Sequence, residues 1–194
     1  MKKTVLYSLI LISLISTFSC NRKIKRISEK EEIDLSGRWN NTDSRLTAEE
    51  ILKECYSGAW LNNFVVKTTK KPVVIVGFVK NKSHEHIDAE TFILDLEKSF
   101  VNQAQIKLVQ GGDKRKELRG EKADQQDNAS QSTMKSFGLE VGADYILQGD
   151  ITSIVDSYKR KKVIYYQVNL QLTDLQSNEV VWIGDKKITK YVKN

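Results

Sequence analysis

Val73-Val74-Ile75-Val76-Gly77-Phe78-Val79 is an unbroken apolar run that follows the single proline of the chain, Pro72. A strand with one wet face alternates polar and apolar residues. A run without alternation predicts a strand covered on both faces, in the interior of a sheet. Everything else in the chain has to supply that cover.

The flanking pattern supplies it with helices. Thr47 and Glu50 form a capping-box pair, with Leu46 and Ile51 in staple positions. A helix is expected from there to about Phe64, with Ile51, Leu52, Cys55, Ala59 and Phe64 facing inward. After the apolar strand, residues 80–87 read as a loop. Asp88 caps a second helix, Ile87 and Phe92 form its staple, and Phe92, Ile93, Leu96 and Phe100 face the core. Ile106-Lys107-Leu108-Val109 reads as a short strand, and Gly111-Gly112 breaks the chain. Residues 113–141 form a polar helical region, two helices or one broken one. Met134, Phe137 and Val141 mark its more amphipathic half, and Gly142 ends it.

Three strands close the sequence. Residues 145–155 place Leu147, Ile151 and Val155 on one face. In 162–173, Ile164, Tyr166, Val168, Leu170 and Leu172 alternate with Gln167, Asn169 and Gln171. That period of two predicts one face on the core and one more polar. Ser177-Asn178 turns the chain into 180–189, which holds Trp182. Short connections favour an antiparallel meander. The order α-β-α-β-α-β-β-β predicts an α+β fold, a mixed sheet with helices on one side and a C-terminal three-stranded antiparallel meander.

The N-terminus sets the compartment. Lys2 and Lys3 precede an apolar stretch, 5–18, interrupted by Ser8, Ser13 and Ser16 and followed by Ser19-Cys20. This has the form of an export signal, too short and serine-rich for a membrane span. The small residue before Cys20 resembles a bacterial lipobox, in which the cysteine sulfur takes a diacylglycerol; Thr17 stands where leucine is usual. Residues 1–19 are therefore expected to be a signal peptide, 20–34 a lipidated tether and 35–194 the folded domain. The polar tether spans at most about 50 Å extended, and roughly 20 Å as a flexible coil. Lipidation would occupy Cys20. Cys55, among apolar helix residues, reads as a small buried hydrophobe.

Charge narrows the partners. The chain has 31 Lys+Arg against 25 Asp+Glu, a net +6 in which Lys2 and Lys3 count for two. This is too weak a basic bias for a nucleic-acid footprint. Candidate contact residues are Trp39, in the lead-in loop 35–40, and the basic tip Lys159-Arg160-Lys161. Trp39 reads either as packed on the domain edge or as exposed for a partner, and the tip equally as a solvated turn.

Catalytic signatures are weak. His84-Glu85-His86 contains the only histidines, too few for a zinc site that wants three or four ligands, and reads as a polar loop and helix cap. There is no Gly-x-Ser-x-Gly elbow. Gly111-Gly112-Asp113-Lys114 lacks the full phosphate-loop pattern. No cofactor is expected, and a binding domain fits better than an enzyme.

Several spaced blocks carry a family resemblance. They are Asp34-Leu35-Ser36-Gly37-Arg38-Trp39-Asn40 with Thr42-Asp43-Ser44-Arg45, then Pro72-Val73-Val74-Ile75-Val76-Gly77, and then Asn81-Lys82-Ser83 with Glu85-His86-Ile87. Further on come Gly142-Ala143-Asp144-Tyr145-Ile146-Leu147, Tyr166-Gln167-Val168-Asn169-Leu170, and Asn178-Glu179 with Val181-Trp182. In this order they resemble the penicillin-binding protein activator LpoB family over about 34–188. The resemblance implies a fold like the N-terminal domain of TolB. It also implies a non-enzymatic lipoprotein, expected as a monomer in the outer membrane facing the periplasm. Such a protein would activate a class A penicillin-binding protein, a bifunctional peptidoglycan synthase, by direct contact. The tether here is short and proline-free, unlike the long proline-rich tether of well-known members. The competing reading is a secretion-pore subunit like the curli transport lipoprotein, which needs amphipathic strands to line a membrane barrel. None is spare in this sequence.

Overall fold

The computed structural model describes residues 24–28, 31, 33–135, 138 and 140–193. The chain divides into Met1–Glu31 and Glu32–Asn194. The described residues of the first unit are exposed and belong to no helix or strand. Cys20, the signal segment and Phe137 lie outside the described residues.

In the second unit the order is α1 (Asn41–Ser57), α2 (Ala59–Thr68), β1 (Val73–Asn81), α3 (Ala89–Gln103), β2 (Lys107–Leu108), α4 (Gly112–Asn128), β3 (Tyr145–Tyr158), β4 (Lys161–Asp174) and β5 (Val180–Lys193). The strands form one sheet in the order β2-β1-β3-β4-β5. β1 is parallel to β2 and β3, while β3–β4 and β4–β5 are antiparallel. The class is α+β with a mixed sheet, as expected.

β1 lies between β2 and β3, so the apolar run is an interior strand. Val73, Val74, Val76 and Val79 are buried, but Phe78 is 74% exposed. The register slips between Val76 and Val79, which marks a bulge. One extra residue there turns Phe78 toward solvent. The expectation of cover on both faces fails at this end, because α4 buries no residue.

The core lies between one sheet face and α1, α2 and α3. Ile51, Leu52, Cys55, Phe92, Leu96 and Phe100 meet Leu147, Ile151, Ile164, Tyr166, Val168, Leu170 and Leu172. The alternation of β4 is as the sequence predicts, with 164, 166, 168, 170 and 172 buried. Val155 shares the parity of Leu147 and Ile151 but is 39% exposed, because β3 continues past the helical layer.

Three expectations about helices are corrected. The first helix begins at Asn41, six residues before Thr47. Its cap is Asn40, which accepts the Asp43 amide proton while Asp43 accepts that of Asn40. Thr47 is instead buried inside α1. The same helix does not run through to Phe64. It stops at Gly58, whose ψ of 144° is extended, and α2 starts afresh. A Cβ at Gly58 would lie 2.8 Å from Trp60 Cδ1 and 3.1 Å from Trp182 Cδ1, so both indoles crowd the break. Ala59 is consequently exposed and Phe64 half-buried. Finally, the polar region forms a helix ending at Asn128, and among the described residues from there to Gly142 none is helical. It has too few apolar residues to be held by burial. Lys114 ties it to Glu97 of α3 at 3.4 Å. Asp88 does cap α3, accepting the Glu90 amide at 3.0 Å.

Candidate partner interface

The lead-in segment is strapped to the sheet by a buried ion pair. Lys190 Nζ reaches Asp43 Oδ2 at 2.6 Å, the Arg38 carbonyl at 2.9 Å and Asp34 Oδ2 at 3.0 Å. Lys190 is only 8% exposed. Its place follows from β-strand parity. Trp182, Gly184, Lys186, Ile188, Lys190 and Val192 pair with the core-facing positions Leu172, Leu170, Val168, Tyr166, Ile164 and Lys162 of β4. A charge on the core face needs partners, and the strap provides three oxygens.

Trp39 belongs to this strap. Its indole N–H donates to Ser44 Oγ at 2.8 Å, its amide donates to Glu85 Oε2 at 3.1 Å, and its ring meets Tyr166 edge-on at 5.6 Å. Of the two readings left open by the sequence, the residue is half-buried on the domain edge.

The His84 loop is part of the same construction. The His84 amide donates to Ser153 Oγ at 2.9 Å, and His84 Nδ1 lies 2.6 Å from that oxygen. His84 Nε2 lies 3.3 Å from Glu85 Oε1. The ring stacks on Tyr166 at 6.2 Å. Burial, and then the Glu85 carboxylate, push the Tyr166 hydroxyl well above the usual tyrosine range. Ser, His and Glu thus stand in a row, but the serine oxygen is held by the backbone of the same histidine. The row works as a loop anchor joining β3 to the strap. His86 is exposed, and among the described residues no group of three or more His, Cys, Asp or Glu gathers at metal-binding distance.

Opposite the helices, the sheet presents an open face. Across its centre Lys82 Nζ pairs with Asp150 Oδ2 at 2.9 Å, Asn169 donates to Asp150 Oδ1 at 3.1 Å, and Gln167 donates to Asn169 Oδ1 at 2.7 Å. The Lys82 hydrogen bond, more than its burial, sets Asp150 below the usual carboxylate range. Phe78 and Ile183 flank this ladder around a shallow hollow of about 310 Å³, and both are largely exposed. The sequence reading put Gln167 and Asn169 on a more polar face but did not name that face as a contact surface. The polar parity of β4 signalled it, but the bulge that presents Phe78 left no local signature beyond Gly77.

At one end of the sheet the β3–β4 hairpin outruns the core. Its turn is Lys159-Arg160, with Lys159 in the left-handed region at φ 54° and its ammonium 5.2 Å from the Tyr158 ring centroid. Lys161 starts β4 directly across from Lys193. The basic tip named from the sequence is therefore exposed, whereas Trp39 is half-buried.

Comparison with known proteins places these features in a family. Among solved structures the chain is similar to the LpoB C-terminal domain from Salmonella enterica, at 18% identity and a TM-score of 0.45, over 75% of this chain and 98% of that one. It is similar to the corresponding Escherichia coli domain at 16% identity and a TM-score of 0.44, over 78% and 99%. Lipoprotein GNA1162 from Neisseria meningitidis aligns at 15% identity and a TM-score of 0.37, over 62% and 83%. No curated protein matches the sequence. The family model described as the peptidoglycan-synthase activator LpoB matches residues 43–188, from the first turn of α1 into β5. With well over half of its length matched in one continuous segment, the chain belongs to the LpoB family of peptidoglycan-synthase activators.

Proposed function

We propose that this chain is a lipid-anchored, non-enzymatic activator of a class A penicillin-binding protein, acting by direct contact in the cell envelope. The observation that carries the reading is the family match over residues 43–188, most of the sheet-and-helix unit. The lipobox-like Ser19-Cys20 supports the anchor, and a periplasm-facing outer-membrane site is the reading it favours. Among the described residues no helix is long and apolar enough to cross a membrane.

The proposed synthase contact is the open sheet face. Exposed Phe78 and Ile183 supply apolar anchors, and the Lys82–Asp150–Asn169–Gln167 ladder around them is already hydrogen-bonded within the domain. A rigid face of this kind costs little ordering on binding. Activation then requires tighter binding to the active arrangement of the synthase than to its resting one; a tenfold rate gain by population shift needs about a tenfold affinity ratio. In this reading Trp39 positions the strap and does not itself touch the synthase.

The test is glycan-strand formation by class A synthases of the same cell, with and without the protein. Acceleration and a stable complex are expected, with both reduced by Phe78→Asp and Ile183→Asp. No complex and no acceleration with any such synthase would overturn the function. Full acceleration by both variants would overturn the face.

A further inference from the structure

The basic end of the sheet carries one exposed carboxylate, Asp156, which faces Val163 across the ladder. Lys159, Arg160, Lys161 and Lys162 are consecutive, and Lys193 lies directly opposite Lys161. Like charges facing across a ladder repel. Among the described residues no carboxylate forms an ion pair with any of the five. Apolar and aromatic groups stand beside them: Ile154, Tyr158 and Tyr191 are each more than half exposed. From Ile154 to Tyr158 the hairpin projects roughly 14 Å, at about 3.4 Å per residue. Basic residues interleaved with exposed tyrosines match an anionic, amphipathic interface.

The strap shows where the chain enters the domain. Asp34 and Arg38 bind Lys190, and Gly37, at φ +68°, packs so closely on Val192 that no Cβ would fit. Lys190 and Val192 pair with Ile164 and Lys162, at the tip end of the sheet. The tether therefore joins the domain beside the basic tip. A tether starting at Cys20 has a coil length of roughly 20 Å. Hence the chain enters the domain at an end that carries five basic residues.

We infer that the tip, Tyr158 to Lys162 with Tyr191 and Lys193, rests on the anionic headgroups of the membrane that carries the anchor. This rests on the lipid-anchor reading above. It assigns Lys159, Arg160 and Lys161 to lipid and leaves the open sheet face free for the synthase. The acyl chains hold the protein to the bilayer, and the tip fixes which way the domain faces. Each lysine or arginine near an anionic leaflet multiplies affinity about fivefold. Reversing two of them should lower the equilibrium constant for the tip-down state at least about 25-fold.

The experiment uses the full acylated chain in vesicles of phosphatidylethanolamine with phosphatidylglycerol, and in phosphatidylcholine alone. A nitroxide is placed by Ser157→Cys at the tip or by Gln176→Cys at the far end, with Cys55 buried and Cys20 acylated. Collision with a water-soluble nickel chelate reports shielding. The expected result is a tip label shielded several-fold in the anionic vesicles only. Half-molar salt or Lys159→Glu with Arg160→Glu should restore its exposure, and the Gln176 label should stay open throughout. A tip label equally open in both vesicles overturns the proposal. So does shielding that arises only when a class A synthase is added, since the tip would then be a protein contact. The mass of the purified chain separates the two readings: absence of acyl groups on Cys20 removes the anchor and this orientation together, whereas an acylated chain with an open tip removes the orientation alone.

Discussion

Breaking the Lys190–Asp43 pair should be the costliest single polar change in the domain. Asp43 Oδ2 accepts from Lys190 Nζ at 2.6 Å and from the Asn40 amide at 2.9 Å, so one oxygen both caps α1 and pairs the buried ammonium. The two side chains are 11% and 7% exposed. Removing one partner of a buried pair typically costs about 3–5 kcal/mol. The half-exposed Asp34 keeps part of the compensation for Lys190, which argues for the lower end, about 3 kcal/mol. At about 2–4 °C per kcal/mol for a domain of this size, Lys190→Met or Asp43→Asn should lower Tm by about 6–12 °C. The double variant removes both charges and should recover most of that loss, giving a coupling of at least about 2 kcal/mol. Urea and thermal melts followed by circular dichroism measure all four corners of the cycle. Single variants that each cost under about 1 kcal/mol, or an additive double variant, would show that the strap is held by packing and that the charge argument is wrong.

Burial pushes the Cys55 thiol from 9.0 up to about 12. The unfolded thiol ionises first, so this contribution to stability is complete below pH 9 and is lost as pH rises toward 12, by up to about 1.4 kcal/mol per pH unit. Urea midpoints should fall between pH 9 and 11, and Cys55→Ala should flatten that slope; an unchanged slope would point to the buried tyrosines instead. In the Cys20→Ser chain, a thiol reagent at neutral pH should modify Cys55 only on unfolding, and rapid native reaction would contradict its burial. Gly149→Ala should cost about 2–3 kcal/mol, since its Cβ would strike the Asn169 carbonyl of the neighbouring strand; a melt within about 0.5 kcal/mol of the parent would show that β3 and β4 can part there. Ser153→Ala removes both bonds to His84 and should cost about 1–2 kcal/mol while raising amide exchange over residues 82–87. Unchanged exchange would mean that the loop is held elsewhere.

Where a side chain's task is set by residues next to it in sequence, the sequence reading succeeded. The β4 alternation, the Asp88 cap and the buried Cys55 all rest on a period or a neighbour. It failed where two local signals competed. Thr47 with Glu50 and Asn40 with Asp43 both fit a helix start, and the earlier one prevails because Asp43 also meets Lys190, a residue 147 positions away. Gly58 reads as one weak helix residue until Trp60 and Trp182 crowd it. Of the contact candidates, Trp39 and the basic tip were both visible as residues, but that one is half-buried and the other exposed was not.

From its sequence alone the chain is an α+β domain with an interior strand, a half-polar sheet and a family signature, because hydrophobic period and short motifs are properties of neighbouring residues. Only the tertiary structure brings Asp34, Arg38 and Asp43 to Lys190 and turns Phe78 outward. Those are contacts between residues far apart in the chain. Strand register and a single bulge decide them, and a one-residue slip would move each side chain to the opposite face.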